Sequence, residues 1–426
     1  MKKLKHIFTL LCLALTLPLM AQTTRGEVLS DLDKAGGVYY AYPTRETRPT
    51  PPPKGYKPFH ISHYGRHGSR YLISDADYKN VADVLRRARE AGALSPLGLD
   101  VLRRLDTVIK EADGLGGALT PLGVRQHRGI AERMVKDYPE VFKGRTPVSA
   151  RSTTVVRCVL SMDAFCERLK ELNPDLLTDR QSADRYMSYL NYHSPESNAY
   201  CGGDWKIRYR KFEEEHVRPD RLMASLFSDP AYVRDRVNPR DLMWGLYWVA
   251  VDMQDMETPI SFYDIFEPEE VFDIWQCTNY NNYVIDGNYP GNGGLVLGNA
   301  ANCLRNIIET ADTALVAKTP SVALRFGHDG NLMPLAGLLR LEGCYGSETE
   351  PDSIYKVFSN FKIAPMAGNV QLVFFKNPKK PDDVLVKFLL NEVETAIPVK
   401  TDLYPFYRWK DVRDFYLNDV MKDVKQ

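Results

Sequence analysis

The sequence of 426 residues is poor in cysteine, with seven, and contains no CxxC pair. A structural zinc site of the thiolate kind therefore has no support, and so few thiols cannot form the covalent frame of the fold. The chain also lacks net charge, with 55 Lys and Arg against 55 Asp and Glu. A protein built to neutralise nucleic-acid phosphates needs a clear basic excess, so nucleic acid is excluded as the expected partner. Aromatic residues are not scarce, at 11%, and this excludes a disordered chain. What is present is an ordinary globular composition, 44% hydrophobic and 26% charged. The length suits two or three domain-sized units, or one large fold with an insertion.

Long apolar runs are missing after residue 21. Before it, Lys2, Lys3 and Lys5 precede a mostly apolar stretch from Ile7 to Leu19, and Leu19-Met20-Ala21 ends on a small residue. That stretch is shorter than the ~20 residues needed to span a bilayer. Its three-part pattern reads as a secretory signal peptide cleaved near Ala21. The expectation is a secreted or periplasmic protein with no stable membrane anchor after cleavage. Cleavage removes three Lys and no acid, which leaves a mature chain of net charge −3 with six cysteines. An even number in an oxidising compartment permits disulfides. Cys158 and Cys166 are excluded as a pair if they share a helix, because eight residues then separate them by about 12 Å.

After the Pro-rich stretch Pro49–Pro53, Phe59–Tyr64 reads as a short strand. It runs into Gly65-Arg66-His67-Gly68-Ser69-Arg70, a loop whose glycines suit close approach of backbone to a ligand. Ser95-Pro96 and Thr120-Pro121 are helix starts, and Ser152 is expected to cap a third helix carrying Val155, Val156, Val159, Leu160 and Phe165. Residues 173–315 are rich in Tyr, Asn, Asp and Pro, with helical stretches and no convincing strand. Within them Asn288–Gly294 lacks the Lys-Ser/Thr of a P-loop and reads as a surface loop. Strands return at Ser321–Phe326, Val370–Lys376 and Val384–Leu390. This order predicts an α/β fold: a doubly wound, mostly parallel sheet flanked by helices, with an inserted smaller α-helical cap domain. Residues 22–172 and 316–426 would form the α/β part and 173–315 the cap.

Three cationic clusters stand out: Arg66-His67-Gly68-Ser69-Arg70, Arg151 with Arg157, and His328-Asp329. Two follow predicted strands, and ligands of open α/β sheets bind outside the carboxyl ends of strands, so clusters far apart in sequence can converge there. Converging guanidinium groups suit a phosphate. A neutral imidazole among them is a nucleophile aimed at phosphorus, and an adjacent carboxylic acid can protonate the departing alkoxide. His60, His63 and His67 are not read as a metal site, since Arg66 and Arg70 repel a cation; His60 and His63 are expected to be hydrogen-bonded strand histidines. The basic run Lys206–Lys211 reads as a solvated helix face.

These segments resemble the histidine acid phosphatases, the branch of the histidine phosphatase superfamily that includes phytases and multiple inositol polyphosphate phosphatases. Arg66-His67-Gly68-Ser69-Arg70 is similar to the family's RHGxR signature, and Leu119–His127 to its LTxxGxxQH helix start. Arg151-Ser152-Thr153 with Arg157, Gly327-His328-Asp329, and Leu390-Asn391-Glu392 resemble later family elements in the same order. The resemblance implies that His67 attacks phosphorus and becomes phosphohistidine, that Arg66, Arg70, Arg157 and His328 hold the phosphoryl oxygens, and that Asp329 protonates the leaving oxygen. It implies no metal or other cofactor. Its partner would be a small phosphorylated substrate. Arg-His-Gly-Ser-Arg-Tyr is the form associated with inositol polyphosphate phosphatases, whereas His-Asp-Gly departs from their usual His-Ala-Glu towards the wider acid phosphatases and bacterial phytases. Phytate or lower inositol phosphates are the expected substrate. The alternatives are a broad acid phosphatase or a glucose 1-phosphate phosphatase, then a phosphoglycerate mutase-like transferase or a non-catalytic phosphosugar-binding protein.

Overall fold

The computed structural model of the protein describes residues 24–44, 46–317, 319–422 and 424; the expected signal peptide lies outside the described residues. The framework is an eight-stranded sheet of β1 (Lys57–Arg66), β2 (Pro147–Ser152), β3 (Leu177–Ser182), β4 (Ser321–Gly327), β5 (Asn369–Asn377), β6 (Lys380–Leu390), β7 (Val393–Glu394) and β8 (Phe406–Arg408). Their order is β3-β2-β4-β1-β5-β6-β7, with β8 also paired to β6.

The α/β class and the flanking helices are as expected, but the sheet is mixed. β3, β2, β4 and β1 pair in parallel, whereas β5, β6, β7 and β8 join by antiparallel pairing. Only Pro378 and Lys379 separate β5 from β6. A connection that short makes a hairpin, because a parallel partner needs a crossover of a dozen residues or more. β1 and β4 are buried along almost their whole length. Their runs are apolar without clean alternation because both faces of the sheet are covered.

Two cores form on opposite faces. Leu372 and Phe374 point into one and Val373 and Phe375 into the other, as a period of two requires. The second core is closed by α3 (Pro121–Asp137) and α4 (Val156–Leu172). The first includes α1 (Asp75–Glu90), α2 (Pro96–Ala112), α5 (Pro239–Asp252), α6 (Pro268–Asp286), α7 (Ala301–Val316) and α8 (Asp329–Leu338).

Ser95 and Thr120 cap α2 and α3 as expected, accepting from the amides of Gly98 and Gly123. Ser152 does not cap α4. It ends β2 and its hydroxyl donates to Thr153 O, so the helix begins after Val155 and turns a different face inward. Cys158, Met162, Phe165, Cys166 and Leu169 are buried there, while Val156 and Leu160 are exposed. A second correction falls in the segment after residue 173. It is mostly helical, yet Leu177–Ser182 is a strand paired with β2. Its residues are largely exposed and polar, as an edge strand permits, which is why no hydrophobic alternation marks it. Cys158 and Cys166 share α4, and all six described cysteines are free thiols. The Asn288–Gly294 stretch is a loop with left-handed glycines at 293 and 294. The basic run lies exposed on the helix Trp205–His216.

Candidate active site

Parallel pairing brings the first and third clusters together. β1 and β4 end side by side, with Arg66 opposite Gly327, and β2 ends with Ser152 opposite Phe326. The backbone continues this contact beyond the strands: His67 N donates to Gly327 O at 3.0 Å and Thr153 N to Phe326 O at 3.1 Å. The loop after β1 and the start of α8 are therefore fixed to each other across roughly 260 residues of sequence by ordinary sheet geometry.

The loop itself is clamped against the start of α3. Thr120 N donates to Ser69 O (2.9 Å), and so does the Thr120 hydroxyl (3.1 Å). Gln126 accepts from Ser69 N (2.8 Å) and donates to Ser69 Oγ (2.7 Å). A Cβ on Gly68 would lie 2.6 Å from Gly123 Cα, and one on Gly123 would lie 2.3 Å from Ser69 O, so neither position tolerates a side chain without backbone movement. The resemblance of Leu119–His127 to a family motif thus has a local cause: Thr120, Gly123 and Gln126 build the wall on which the loop rests. On the other side Ala367 N donates to His67 O (2.9 Å) and Arg66 N to Gly368 O (2.8 Å).

His67 is 1% exposed, and its Nδ1 faces Gly68 O at 2.9 Å. A carbonyl only accepts, so Nδ1 carries the proton and Nε2 keeps its lone pair. Burial, then the charges of Arg66, Arg70 and Arg157, hold the ring well below the usual imidazole value, so it is neutral. The ring of His328 stands 5.7 Å away, centroid to centroid. His328 Nε2 meets Thr153 Oγ1 at 3.2 Å, and burial with the neighbouring arginines lowers its pKa to about 4 against the pull of Asp329.

The three arginines keep donors unspent. Arg66 gives Nη1 to Val38 O and Ala364 O, but its buried Nε and Nη2 have no hydrogen-bond partner among the described residues. Arg70 gives Nη1 to Tyr71 O and Nη2 to the Tyr39 hydroxyl, and its plane lies 4.5 Å over the Tyr39 ring, while its Nε has no partner among the described residues. Arg157 has no side-chain hydrogen bond among the described residues. Asp329, first residue of α8, lies 3.4 Å from Arg66 Nε. Burial pushes its carboxyl up, but Arg66 above all, with His328 and Arg70, brings it below the ordinary value, so it is ionised in the free site. Such a set fits a tetrahedral anion: fixed guanidinium donors, a helix N-terminus, and a neutral nitrogen lone pair among them.

Every expected site residue, Arg66, His67, Arg70, Arg157, His328 and Asp329, belongs to this one edge. Arg151 does not: its guanidinium binds Asp179 at 2.6 Å and stacks over Tyr186. Glu392 is also structural, paired with Arg133 at 2.7 Å and accepting from Tyr42. His60 is hydrogen-bonded to Ser321 as expected. His63 is not: neither ring nitrogen has a partner among the described residues, the ring packs on Phe165 and Phe326, and burial lowers it to about 3.

Sequence reasoning missed Tyr39, which no periodicity marks in the lead-in, and the buried acids Asp252 and Asp255. Ser69 Oγ donates to Asp255 at 2.5 Å and Tyr78 to Asp252 at 2.5 Å. Burial raises both carboxyls, Asp252 to about 7 and Asp255 well above its usual value. Two acids following the apolar run Leu242–Val251 are the signal that finds them, since a charge at the end of a buried helix needs a partner.

The sequence profile of the histidine phosphatase superfamily (branch 2) matches residues 66–391. No curated protein sequence matches the chain. Among solved structures, the multiple inositol polyphosphate phosphatase of Bifidobacterium longum in complex with inositol hexasulfate is similar, with 18% identity and a TM-score of 0.75 over 91% of this chain and 98% of that one. The phytase from D. castellii has 15% identity and a TM-score of 0.64, over 92% and 87%. The apo phytase of Hafnia alvei has 12% identity and a TM-score of 0.52, over 88% and 100%. At such identities the likeness is one of fold. The matched profile opens on Arg66, the last residue of β1, and closes on Asn391, just past β6, so it spans the loop after β1 and the His328-Asp329 pair; the chain belongs to branch 2 of the histidine phosphatase superfamily and is a histidine acid phosphatase.

Proposed function

We propose that the protein hydrolyses phosphate monoesters through a phosphohistidine on His67, outside the cytoplasm, with phytate or lower inositol phosphates as substrate. The observation that carries the reading is a buried neutral His67 whose Nδ1 is fixed by Gly68 O, set among arginines with unspent donors. Nε2 attacks phosphorus in line with the leaving oxygen. Arg66, Arg70, Arg157 and His328 receive the charge that spreads over the equatorial oxygens. A bound phosphate dianion offsets the arginines that hold Asp329 ionised, so its carboxyl rises towards the range of a proton donor. Asp329 then protonates the leaving oxygen, and as carboxylate takes a proton from the water that hydrolyses the phosphoenzyme.

Inositol phosphates are favoured by the Arg-His-Gly-Ser-Arg-Tyr sequence, and the B. longum neighbour was crystallised with inositol hexasulfate and with phosphate. Residues 173–315, with β3 excepted, are read as a helical cap over this edge, a reading supported by His193 and Asp286 lying against Gly330. No helix among the described residues is long and apolar enough to cross a membrane.

The test is phosphate release from phytate, glucose 1-phosphate and p-nitrophenyl phosphate, with acid-labile, alkali-stable labelling of the protein during turnover. His67→Ala should lose turnover by a factor on the order of 10⁴ or more and take no label. Full activity in that variant sinks the mechanism, and phosphoryl transfer without phosphate release would favour the mutase-like reading. Faster hydrolysis of glucose 1-phosphate than of phytate would overturn the substrate.

A further inference from the structure

Asp255 closes the short turn Met253–Asp255 that follows α5, and it has no part in the steps above. It is fully buried against the loop after β1, where its Oδ1 accepts from Ser69 Oγ at 2.5 Å. Ser69, also fully buried, stands immediately before Arg70 and two residues after His67. The direction of each bond around it is fixed. Ser69 N can only donate, so the Gln126 oxygen faces it at 2.8 Å, and the Gln126 amide nitrogen is the atom 2.7 Å from Ser69 Oγ. The hydroxyl has a single proton. With Gln126 donating to its oxygen, that proton goes to Asp255, and among the described residues Ser69 Oγ has no other acceptor.

A second strap ties the same helix end to the residues just past Arg70. The Tyr78 hydroxyl accepts from Leu72 N at 2.8 Å and donates to Asp252, the last residue of α5, at 2.5 Å. Arg70 is therefore bracketed by two anchored residues, while its own Nε has no partner among the described residues. Both anchoring acids belong to the segment 173–315, so that segment holds the loop that carries His67 and Arg70. A displacement of about 1 Å between reacting groups costs on the order of 10² in rate, which is the scale on which such an anchor matters.

We propose that Asp255 is a positioning residue of the reaction, holding the loop after β1 through the Ser69 hydroxyl so that His67 Nε2 and the Arg70 guanidinium meet the same phosphoryl group. The proposal rests on the reading of His67 as nucleophile and Arg70 as phosphate ligand. Asp255 acts through Ser69 and does not touch substrate. Its role requires an acceptor and not a charge. A neutral carboxyl still accepts at its carbonyl oxygen, so the burial that raises the Asp255 carboxyl does not release Ser69. Asparagine in its place keeps that acceptor, whereas leucine, of similar size, removes it.

The experiment measures the single-turnover rate constant for p-nitrophenol release from p-nitrophenyl phosphate, with the enzyme in saturating excess. A smaller folded fraction does not change that constant, so a role confined to stability leaves it where it was. Asp255→Leu should lower it about ten- to hundredfold, and Asp255→Asn should recover all but about threefold of the loss. Ser69→Ala deletes the same bond, keeps the backbone bond to Gln126, and applies even where Asp255→Leu does not fold; it should lower the constant to a similar extent. The double variant Ser69→Ala/Asp255→Leu should be no slower than the slower single one, because both remove one bond. A constant within about threefold of the unaltered protein's in Asp255→Leu or in Ser69→Ala overturns the proposal. So does an Asp255→Asn variant as slow as Asp255→Leu, or losses that multiply in the double variant. The two readings fail separately. If the unaltered protein takes no phosphate label on His67 during turnover, the nucleophile assignment itself fails; if it takes the label and neither variant is slowed, only the role of Asp255 fails.

Discussion

Arg157 and Arg325 lie on either side of one sheet edge and are treated in opposite ways. Arg325, on β4, is 2% exposed, and its donors meet Asn306 Oδ1, Asn306 O, Ser62 Oγ and Thr310 Oγ1 at 2.8–3.3 Å. Four neutral oxygens replace the water it gave up, so its charge is solvated by the protein. Arg157 is half-buried near Arg70, whose like charge after burial pulls it down, and the described residues give its side chain no acceptor. The far end of the sheet repeats the first pattern: Lys387 is fully buried yet bonded to Thr50 O and Glu394. A buried cation with its donors satisfied holds the fold together, whereas one left unsatisfied next to like charge is retained for something outside the chain.

The contrast breaks most sharply if the two arginines are exchanged for methionine. Arg157→Met should lower kcat/KM by about 10²–10³, in line with loss of one transition-state contact, and leave the melting temperature unchanged or slightly higher. Arg325→Met should do the reverse. It strands Ser62, Asn306 and Thr310, and a loss of about 2–4 kcal/mol is expected from chemical denaturation, with the activity of the folded fraction kept within tenfold. Equal effects of the two substitutions on stability would remove the distinction.

An effect that shows only on acidification tests the apolar side of the same edge. His63 is lowered to about 3 in the folded protein, and an unfolded histidine takes its proton near 6.5. Its contribution to stability is thus fully present above pH 6.5 and is lost as pH falls, at roughly 1.4 kcal/mol per pH unit down to about pH 3. Replacing His63 by Phe should flatten the acid side of the stability profile by that slope, as measured by urea titration at pH 4 to 7. An unchanged slope would mean that the ring is solvated. The smallest expected change is none at all. Because burial and three arginines hold His67 well below 6.5, the kcat/KM profile should show no acid limb near that value. A limb there assigned to His67 would place the ring in water and undo the comparison.

Much of the site was legible before any tertiary contact was known, because Arg66, His67 and Arg70 are contiguous and Thr120, Gly123 and Gln126 sit at fixed spacing in one helix start. The strands β1, β4 and β5 were legible as apolar runs. β3 was not, since an exposed edge strand carries no apolar pattern, nor was the displaced start of α4, where Ser152 is bound into β2. Arg151 and Arg157 look alike in sequence and are told apart only by Asp179, which captures the first. Tyr39 and Asp255 are further from the motifs than any local rule reaches.

By itself the sequence determined which groups can do the chemistry: a histidine between arginines, a His-Asp pair, and helix and strand signals for an α/β fold. The tertiary structure decided their ionisation and their company. Burial depends on every element packed around a group, and fields depend on charges brought near by pairing β1 with β4, so only the folded chain makes His67 neutral and Asp329 ionised and brings Asp255 to Ser69.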